Sequence, residues 1–395
     1  MAARSRLVFY MSPPLRWIRR GLLGAFTALA AVSAGAAVLQ RTNPERAEDP
    51  ADLVEEAAAA LRAARSEGAA RRSPVNLAHA EAAYGDGLLE RRRQEMRFGL
   101  FRDYRTARAI LELSLNRSKI AATLAQRSAQ RDRTMVSRVL ASADAAVLAL
   151  AGTEDRVWMS QSVRQRLQRA RAMVSEARAF LDAGAYPEAE DRARAARAEA
   201  EDVGDVLHES TSRFSDDDAL RLWRAWAAET VEWSRSTGAT AVVVDKDAHR
   251  LFVYQRGRVV REYDAEIGWN NVGDKLHQGD GATPEGRYKI TDKKSGGRSR
   301  YYKALLLDYP TREDQRQLEA LKAEGAVPRA TRIGGLIEIH GEGGRGKDWT
   351  DGCVAITNDQ IDWLFTHVGV GAPVTIVGSL SGDGLFSEVA RRLER

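Results

Sequence analysis

Cysteine is almost absent from this chain: Cys353 is the only one in 395 residues. That excludes an internal disulfide and any metal site built from several thiolates. No pair of histidines or carboxylates has ligand spacing such as HExxH, so neither a metal ion nor a cofactor is expected. Charge of one sign is also scarce. Lys and Arg total 60 against 55 Asp and Glu, a net charge of only +5, which is a weak field for an anionic polymer. There is no zinc-finger spacing, no aromatic RNA-binding strand and no Lys/Arg-rich arm, so no nucleic-acid partner is expected. Proline is sparse, ten in all, and only Pro74 and Pro187 fall between residues 51 and 235. A long stretch with so little punctuation reads as helix.

The N-terminus carries an address. Residues 1–20 form a basic flank with Arg16, Arg19 and Arg20, followed by the uncharged run GLLGAFTALAAVSAGAAVL at 21–39. Such a run is long enough to cross a hydrocarbon core of about 30 Å. The basic flank keeps residues 1–20 in the cytoplasm and exports the remainder. Ala34-Gly35-Ala36 also fits a signal-peptidase site. An uncleaved anchor in the inner membrane is the preferred reading and a removed signal peptide the alternative. No cysteine lies just after the run, which excludes a lipoprotein anchor. Either way the chain is expected in the periplasm or cell envelope.

Residues 40–50 read as a polar linker. From 51 to 235 the chain is rich in Ala, Arg, Glu and Leu, and stretches such as DLVEEAAAALRAAR place apolar residues three and four apart. That spacing predicts amphipathic helices. Breaks at Arg72-Ser73-Pro74, Gly152-Thr153-Glu154 and Gly184-Ala185-Tyr186-Pro187 divide the region into long helices packed as hairpins or a bundle. Tyr precedes Ala by three residues at Tyr104/Ala107 and again at Tyr186/Ala189. These two steps loosely resemble tetratricopeptide-type hairpins. In a plain bundle the same Tyr and Ala would fill a tight crossing. His79 and His208 stand alone in helical sequence, and no catalytic constellation appears. A protein partner for this all-α region is left open.

After residue 235 the texture changes. ATAVVVDKDAHRLFVYQRGRVVREYDAEIG alternates β-branched and aromatic residues around turn signals at 245–247 and 256–257, which predicts a hairpin. Further strands are expected at 286–293, 303–309, 336–341 and 372–378, with one short helix in NDQIDWLFTHV. Residues 238–380 thus read as a mostly β, β-sandwich-like domain. Residues 381–395 close the chain with an amphipathic helix carrying Leu385, Phe386, Val389 and Leu393 on one face.

The chemistry gathers near the end. A thiol is nucleophilic only as thiolate, so it needs a base, and the tetrahedral intermediate needs donors for its oxyanion. His340 ends the strand-like LIEIH, and a Gly-rich connection, GEGGRGK, leads on to DWTDGC. A loop of that kind can fold back and set His340 beside Cys353. Gly352 allows close backbone approach, and the Cys353 N–H offers an oxyanion donor. His277, just before the Thr283-Pro284 turn, either lines a cleft or is an exposed loop histidine. Trp349 packs the loop or serves as a substrate platform. His249 and His367 sit at a turn and a helix end.

Three motifs taken in order, GDGATPEGRY, IEIHG and DWTDGCVAITN, resemble the L,D-transpeptidase catalytic domain, also called YkuD. The matching positions are Thr283-Pro284-Glu285-Gly286, His340-Gly341, Thr350-Asp351-Gly352-Cys353 and Asn358, within about 140 residues. The chain departs from the family pattern in three places. Asp351 replaces a second histidine, Ala355 replaces an arginine, and the span from His340 to Cys353 is short. The resemblance implies a cysteine-dependent acyl transfer on peptidoglycan stem peptides. Cys353 is then the nucleophile, His340 the general base and acid, and Gly352 part of the oxyanion loop. Gly341, Thr350, Asp351, His277 and Trp349 border the substrate, and Asn358 ties the loop to the next helix. Transfer to an amine, as cross-linking or protein anchoring, is the favoured activity. A hydrolase or amidase of the same fold and an inactive wall-binding scaffold are the alternatives.

Overall fold

The computed structural model describes residues 27–35, 37–38 and 48–394. Residues 1–20, part of the apolar run 21–39 and most of the linker 40–50 lie outside the described residues, so the anchor and signal readings are not addressed by it. Among the described residues no helix is long and apolar enough to cross a membrane.

Two compact units divide between Met135 and Val136. The first holds α1 (Ala51–Ser66), α2 (Ala69–Arg72), α3 (Pro74–Glu95) and the start of the 45-residue α4 (Arg105–Ala149). Pro74 sits at the first position of α3, where its missing N–H costs nothing. The unit's core is small: Leu61, Ala64, Ala69, Leu77, Ala80, Ala121 and Ala125. Tyr104, just before α4, and Ala107 in its first turn are both buried.

The second unit begins inside α4 and continues through α5 (Gln161–Asp182), α6 (Tyr186–Ser212) and α7 (Asp217–Thr237) into the sheet. Ser160 and Asp216 cap α5 and α7 by accepting N–H bonds from Val163 and Ala219. Helices α5 and α6 are antiparallel, because Arg166 meets Asp202, Arg169 meets Glu199 and Glu176 meets Arg192. The boundary drawn at 235–238 is therefore a change of secondary structure, whereas the packing unit reaches back to residue 136. Trp223 of α7 packs with Val377, Phe386 and Leu207 in one cluster that joins helices to sheet.

Eight strands form one sheet: β1 (Thr240–Asp245), β2 (Arg250–Gln255), β3 (Arg258–Asp264), β4 (Gly286–Ser295), β5 (Lys303–Leu307), β6 (Glu338–His340), β7 (Val354–Ala355) and β8 (Pro373–Val377). Their order is β3-β2-β1-β8-β4-β5-β6-β7. Pairs β1/β8 and β6/β7 are parallel and the others antiparallel. The segment after β3 bridges to β7 through Glu266 and Ala355, and to Thr350 through Gly268. The two edges of the sheet thus meet, and it curls around one core that takes Val242, Leu251, Ile290, Leu305, Ile339, Val354 and Ile376 from both halves. The curl is what makes the domain sandwich-like.

Helix α9 (Asn358–His367) follows β7 and starts with a capping box, Thr357 with Gln360. Helix α10 (Leu385–Leu393) buries Phe386, Val389 and Leu393. An additional helix, α8 (Arg312–Ala323), lies between β5 and β6. Its own signal, Thr311 capping with Asp314 three residues on, stands in the sequence before a run of strong helix formers.

Candidate active site

The last two strands of the sheet carry the chemistry. Parallel pairing sets His340 opposite Ala355 and Ile339 opposite Val354. Side chains alternate along a strand, so His340 and Ala355 share one face, and Cys353 lies just before β7, two residues ahead of Ala355. Ile356 N–H closes the pair by donating to His340 O at 2.9 Å.

His340 is fully buried. Its Nδ1 lies 2.6 Å from Gly341 O, which requires Nδ1 to carry the proton and donate. Nε2 is then an unprotonated lone pair, and it is buried without a hydrogen-bond partner. Tyr301 stacks flat on the imidazole, 3.6 Å between ring centres, and Trp349 meets it edge-on at 5.8 Å. Burial pushes the imidazole down to about 4, against the bond to Gly341, with Arg345 and Arg300 adding to the shift. It is a neutral base at any ordinary pH.

The Cys353 thiol donates to Leu336 O at 3.6 Å. Leu336 holds a left-handed φ of 59° and is 70% exposed, an uncommon conformation for a bulky residue. Burial raises the thiol to about 11; the backbone of Glu338 lowers it by a hydrogen bond, the Glu338 and Asp351 carboxylates raise it, and Lys275 lowers it. A thiol near 11 and an imidazole near 4 keep the proton on sulfur.

The loop before Cys353 is fixed by backbone bonds. Thr350 is buried, and its hydroxyl donates to Cys353 O at 2.6 Å and accepts from Gly352 N–H at 3.2 Å. Thr283, from the Thr-Pro turn, donates to the same carbonyl at 3.4 Å and accepts from Gly268 N–H. The Gly352 N–H is thus already engaged by Thr350. A Cβ at Gly352 would stand 2.6 Å from Ala282 O, and its φ is 123°, so only glycine fits. Thr350 is a brace rather than a contact surface. Asp351 points outward and is exposed.

Gly341 passes close to α9: a Cβ there would meet Asn358 Oδ1 at 2.5 Å. Asn358 accepts from Glu342 N–H at 2.9 Å and so ties the Gly-rich loop to the helix. Trp349 is held by Glu266, which takes its indole N–H at 2.7 Å, and Arg345 lies over its face at 3.4 Å. Asp348 anchors the start of the loop, accepting from Ile267 N–H, Asn271 and His249. His277 is bound to its own loop, through Gln278 O and Asp280, and makes no hydrogen bond to the thiol or to His340. His367 stacks on Trp363 at the end of α9. Tyr301, Glu266 and Lys275 lie outside the three motifs, and Asp348 opens one of them. Each acts through contacts distant in sequence. Among the described residues no group of His, Cys, Asp and Glu is arranged to hold a metal ion.

Residues 239–376 match the family model of the L,D-transpeptidase catalytic domain, YkuD. Among solved structures, Bd1075 of Bdellovibrio bacteriovorus is 24% identical, over 40% of this chain and 55% of that one, with a TM-score of 0.28. The helical cell shape determining protein Pgp2 of Campylobacter jejuni is 24% identical, over 39% and 52%, at 0.28. An L,D-transpeptidase of Xylanimonas cellulosilytica is 18% identical, over 35% and 60%, at 0.25. The matched part thus spans little more than half of each of these chains. No curated protein matches.

Proposed function

We propose that this protein is an L,D-transpeptidase-type acyltransferase of the cell envelope, with Cys353 as nucleophile and His340 as base. The observation that carries the reading is the strand pair β6/β7, which sets a buried, neutral imidazole with an uncommitted Nε2 opposite Ala355, two residues after the chain's only thiol.

The donor is a peptidoglycan stem tetrapeptide. Cys353 Sγ bonds to the carbonyl carbon of its third residue while His340 Nε2 takes the thiol proton, and the Cys353 N–H receives the oxyanion. When the intermediate collapses, the C–N bond breaks, His340 returns the proton to the departing amine, and a D-amino acid leaves. The thioester is resolved by an amine, either a stem side chain in a cross-link or a protein lysine in anchoring. The attacking amine loses its proton to His340 and the thiol is regenerated. Residues 21–39 place the domain on the outer side of the inner membrane, and the helical region spaces it from that membrane or holds a protein partner.

The test is intact-protein mass after mixing residues 45–395 with purified tetrapeptide muropeptides. The expected result is an adduct on the parent protein, absent from Cys353→Ala and at least 100-fold slower to form in His340→Gln. Products joined through an amine support transfer, whereas release of a tripeptide product alone identifies a hydrolase. A folded protein with a free thiol and no adduct would overturn the enzyme reading in favour of a wall-binding scaffold.

A further inference from the structure

One buried cation borders the Cys353 loop. Lys275 lies in the segment between β3 and β4, with its side chain 4% exposed. Its ammonium donates to Asp280 Oδ1 at 2.8 Å and to Asp351 O at 3.5 Å. A Cβ on Gly352 would stand 3.3 Å from it, so the charge lies against the peptide that leads into Cys353. Those two acceptors leave one of its three N–H groups uncommitted among the described residues.

Asp280 fixes the lysine's position. Its Oδ2 accepts from the N–H groups of Leu276 and His277, and its Oδ1 from Ala282 N–H as well as from Lys275. Burial alone would raise this carboxyl, but the His277 N–H, Lys275 and the Leu276 N–H together hold it below the usual range. Asp280 therefore stays ionised against Lys275, and the protein bears the desolvation of an ion pair beside the loop of Cys353. A structural ion pair needs no such place.

The groups that face Cys353 divide by sign. The carboxylates of Glu338, buried and paired with Lys294 at 2.8 Å, and of the exposed Asp351 oppose a negative sulfur, while the Glu338 backbone favours it by a hydrogen bond. Tyr301 and His340 are neutral at ordinary pH. Lys275 is the cation that favours a negative sulfur.

We propose that Lys275 is a positioning residue for Cys353, its ammonium holding the Asp351–Gly352 peptide and supplying the positive potential in which the thiolate forms. This rests on the reading of Cys353 as nucleophile. Lys275 takes no part in proton transfer and touches neither donor nor acceptor.

Because there is one thiol in the chain, alkylation reports on it without ambiguity. With iodoacetamide the Sγ–C bond forms from the thiolate, iodide leaves and the thiol proton goes to solvent. The rate, followed by intact mass from pH 6 to 10, measures thiolate population. Lys275→Met is expected to alkylate about 3- to 10-fold more slowly at pH 8, with its profile displaced to higher pH, while Lys275→Arg stays within about twofold of the parent. Superimposable profiles for Lys275→Met and the parent would overturn the proposal, as would faster alkylation, the sign of a loosened loop. If Lys275→Met does not fold, Asp280→Asn supplies the opposite test. Removing the lysine's counter-charge should speed alkylation about 2- to 3-fold, and an unchanged or slower rate sinks the idea. The reagent reads the thiol whether or not wall peptides are substrates, so failure of the muropeptide reaction would leave this result standing.

Discussion

The helical hairpins and the curled sheet solve the same packing problem with opposite materials. Between α5, α6 and the second half of α4 the buried residues are mostly alanine: Ala143, Ala177, Ala193 and Ala196, with Leu140 and Val174. Small side chains let helix axes approach closely, and every charge stays at the rim, as in Arg169–Glu199 and Arg178–Asp144. The sheet domain packs Val, Ile and Leu, yet it also takes charges inside. Lys246 is fully buried and donates to Gly273 O, Thr283 O and Glu285. Asp274, raised by burial to about 7, accepts from Glu285 N–H. The difference follows from what each must hold. A helix satisfies its own backbone, whereas the segments 265–285 and 341–353 have no ladder, so buried side chains take up their N–H and C=O groups.

The comparison is broken most sharply at Lys246. Lys246→Met strips the buried one of two cations, with Arg213 the other, that face Glu285 and Asp274, and is expected to cost about 3–5 kcal/mol, read as a lower urea midpoint. Arg169→Met, which removes a rim charge of α5, should cost less than about 1 kcal/mol. Equal losses would mean that the buried charges do no more than the exposed ones.

A second pair of substitutions compares glycines of like backbone and unlike surroundings. Gly184, between α5 and α6, has φ 73° and open space about it, whereas Gly352 has φ 123° and Ala282 O against it. Gly184→Ala should cost about 1 kcal/mol and leave thiol alkylation unchanged. Gly352→Ala should cost about 2–3 kcal/mol and change the alkylation rate by at least tenfold, because the loop carrying Cys353 must shift.

The same contrast decides what the sequence made legible. The runs TAVVVD and KALLL and the breaks at Pro74 and Gly184 carry local signals, and β1, β5, α3 and α6 lie where those signals put them. The short span from His340 to Cys353 is spanned by a parallel strand pair that no period could reveal, since β7 has only two residues. Helix α8 was overlooked despite its capping signal, because its neighbours read as strand and loop. Lys275 and Tyr301 were invisible for a different reason: each stands in a polar stretch that reads as surface, and only the fold brings Asp280 and Asp351 to one, and His340 to the other. Alternating patterns encode the scaffold, while the contacts that tune the thiol are long-range and leave no pattern.

The smallest expected effect concerns the tether at the start of the active-site loop. His249 holds Asp348 at 2.8 Å, joining the β1–β2 turn to the stretch that ends in Cys353. Burial alone would lower the imidazole, but the bond and charge of Asp348 reverse this and raise it above 6.5. Burial likewise works to raise Asp348, and His249 with the N–H of Ile267 holds it below 3.8. The signs then fix the window. The histidine's contribution is complete below 6.5 and is lost as pH rises through its folded value, and the carboxylate's is complete above 3.8 and is lost as pH falls through its own. The pair therefore contributes most between about pH 4 and 6.5. Against His249→Asn, the parent should be more stable by about 1 kcal/mol at pH 5, a few degrees in Tm, with the gap narrowing toward pH 9. A gap that stays constant from pH 5 to 9 would show that His249 contributes by packing against Phe386, 5.5 Å away, and that charge is not what tethers the loop.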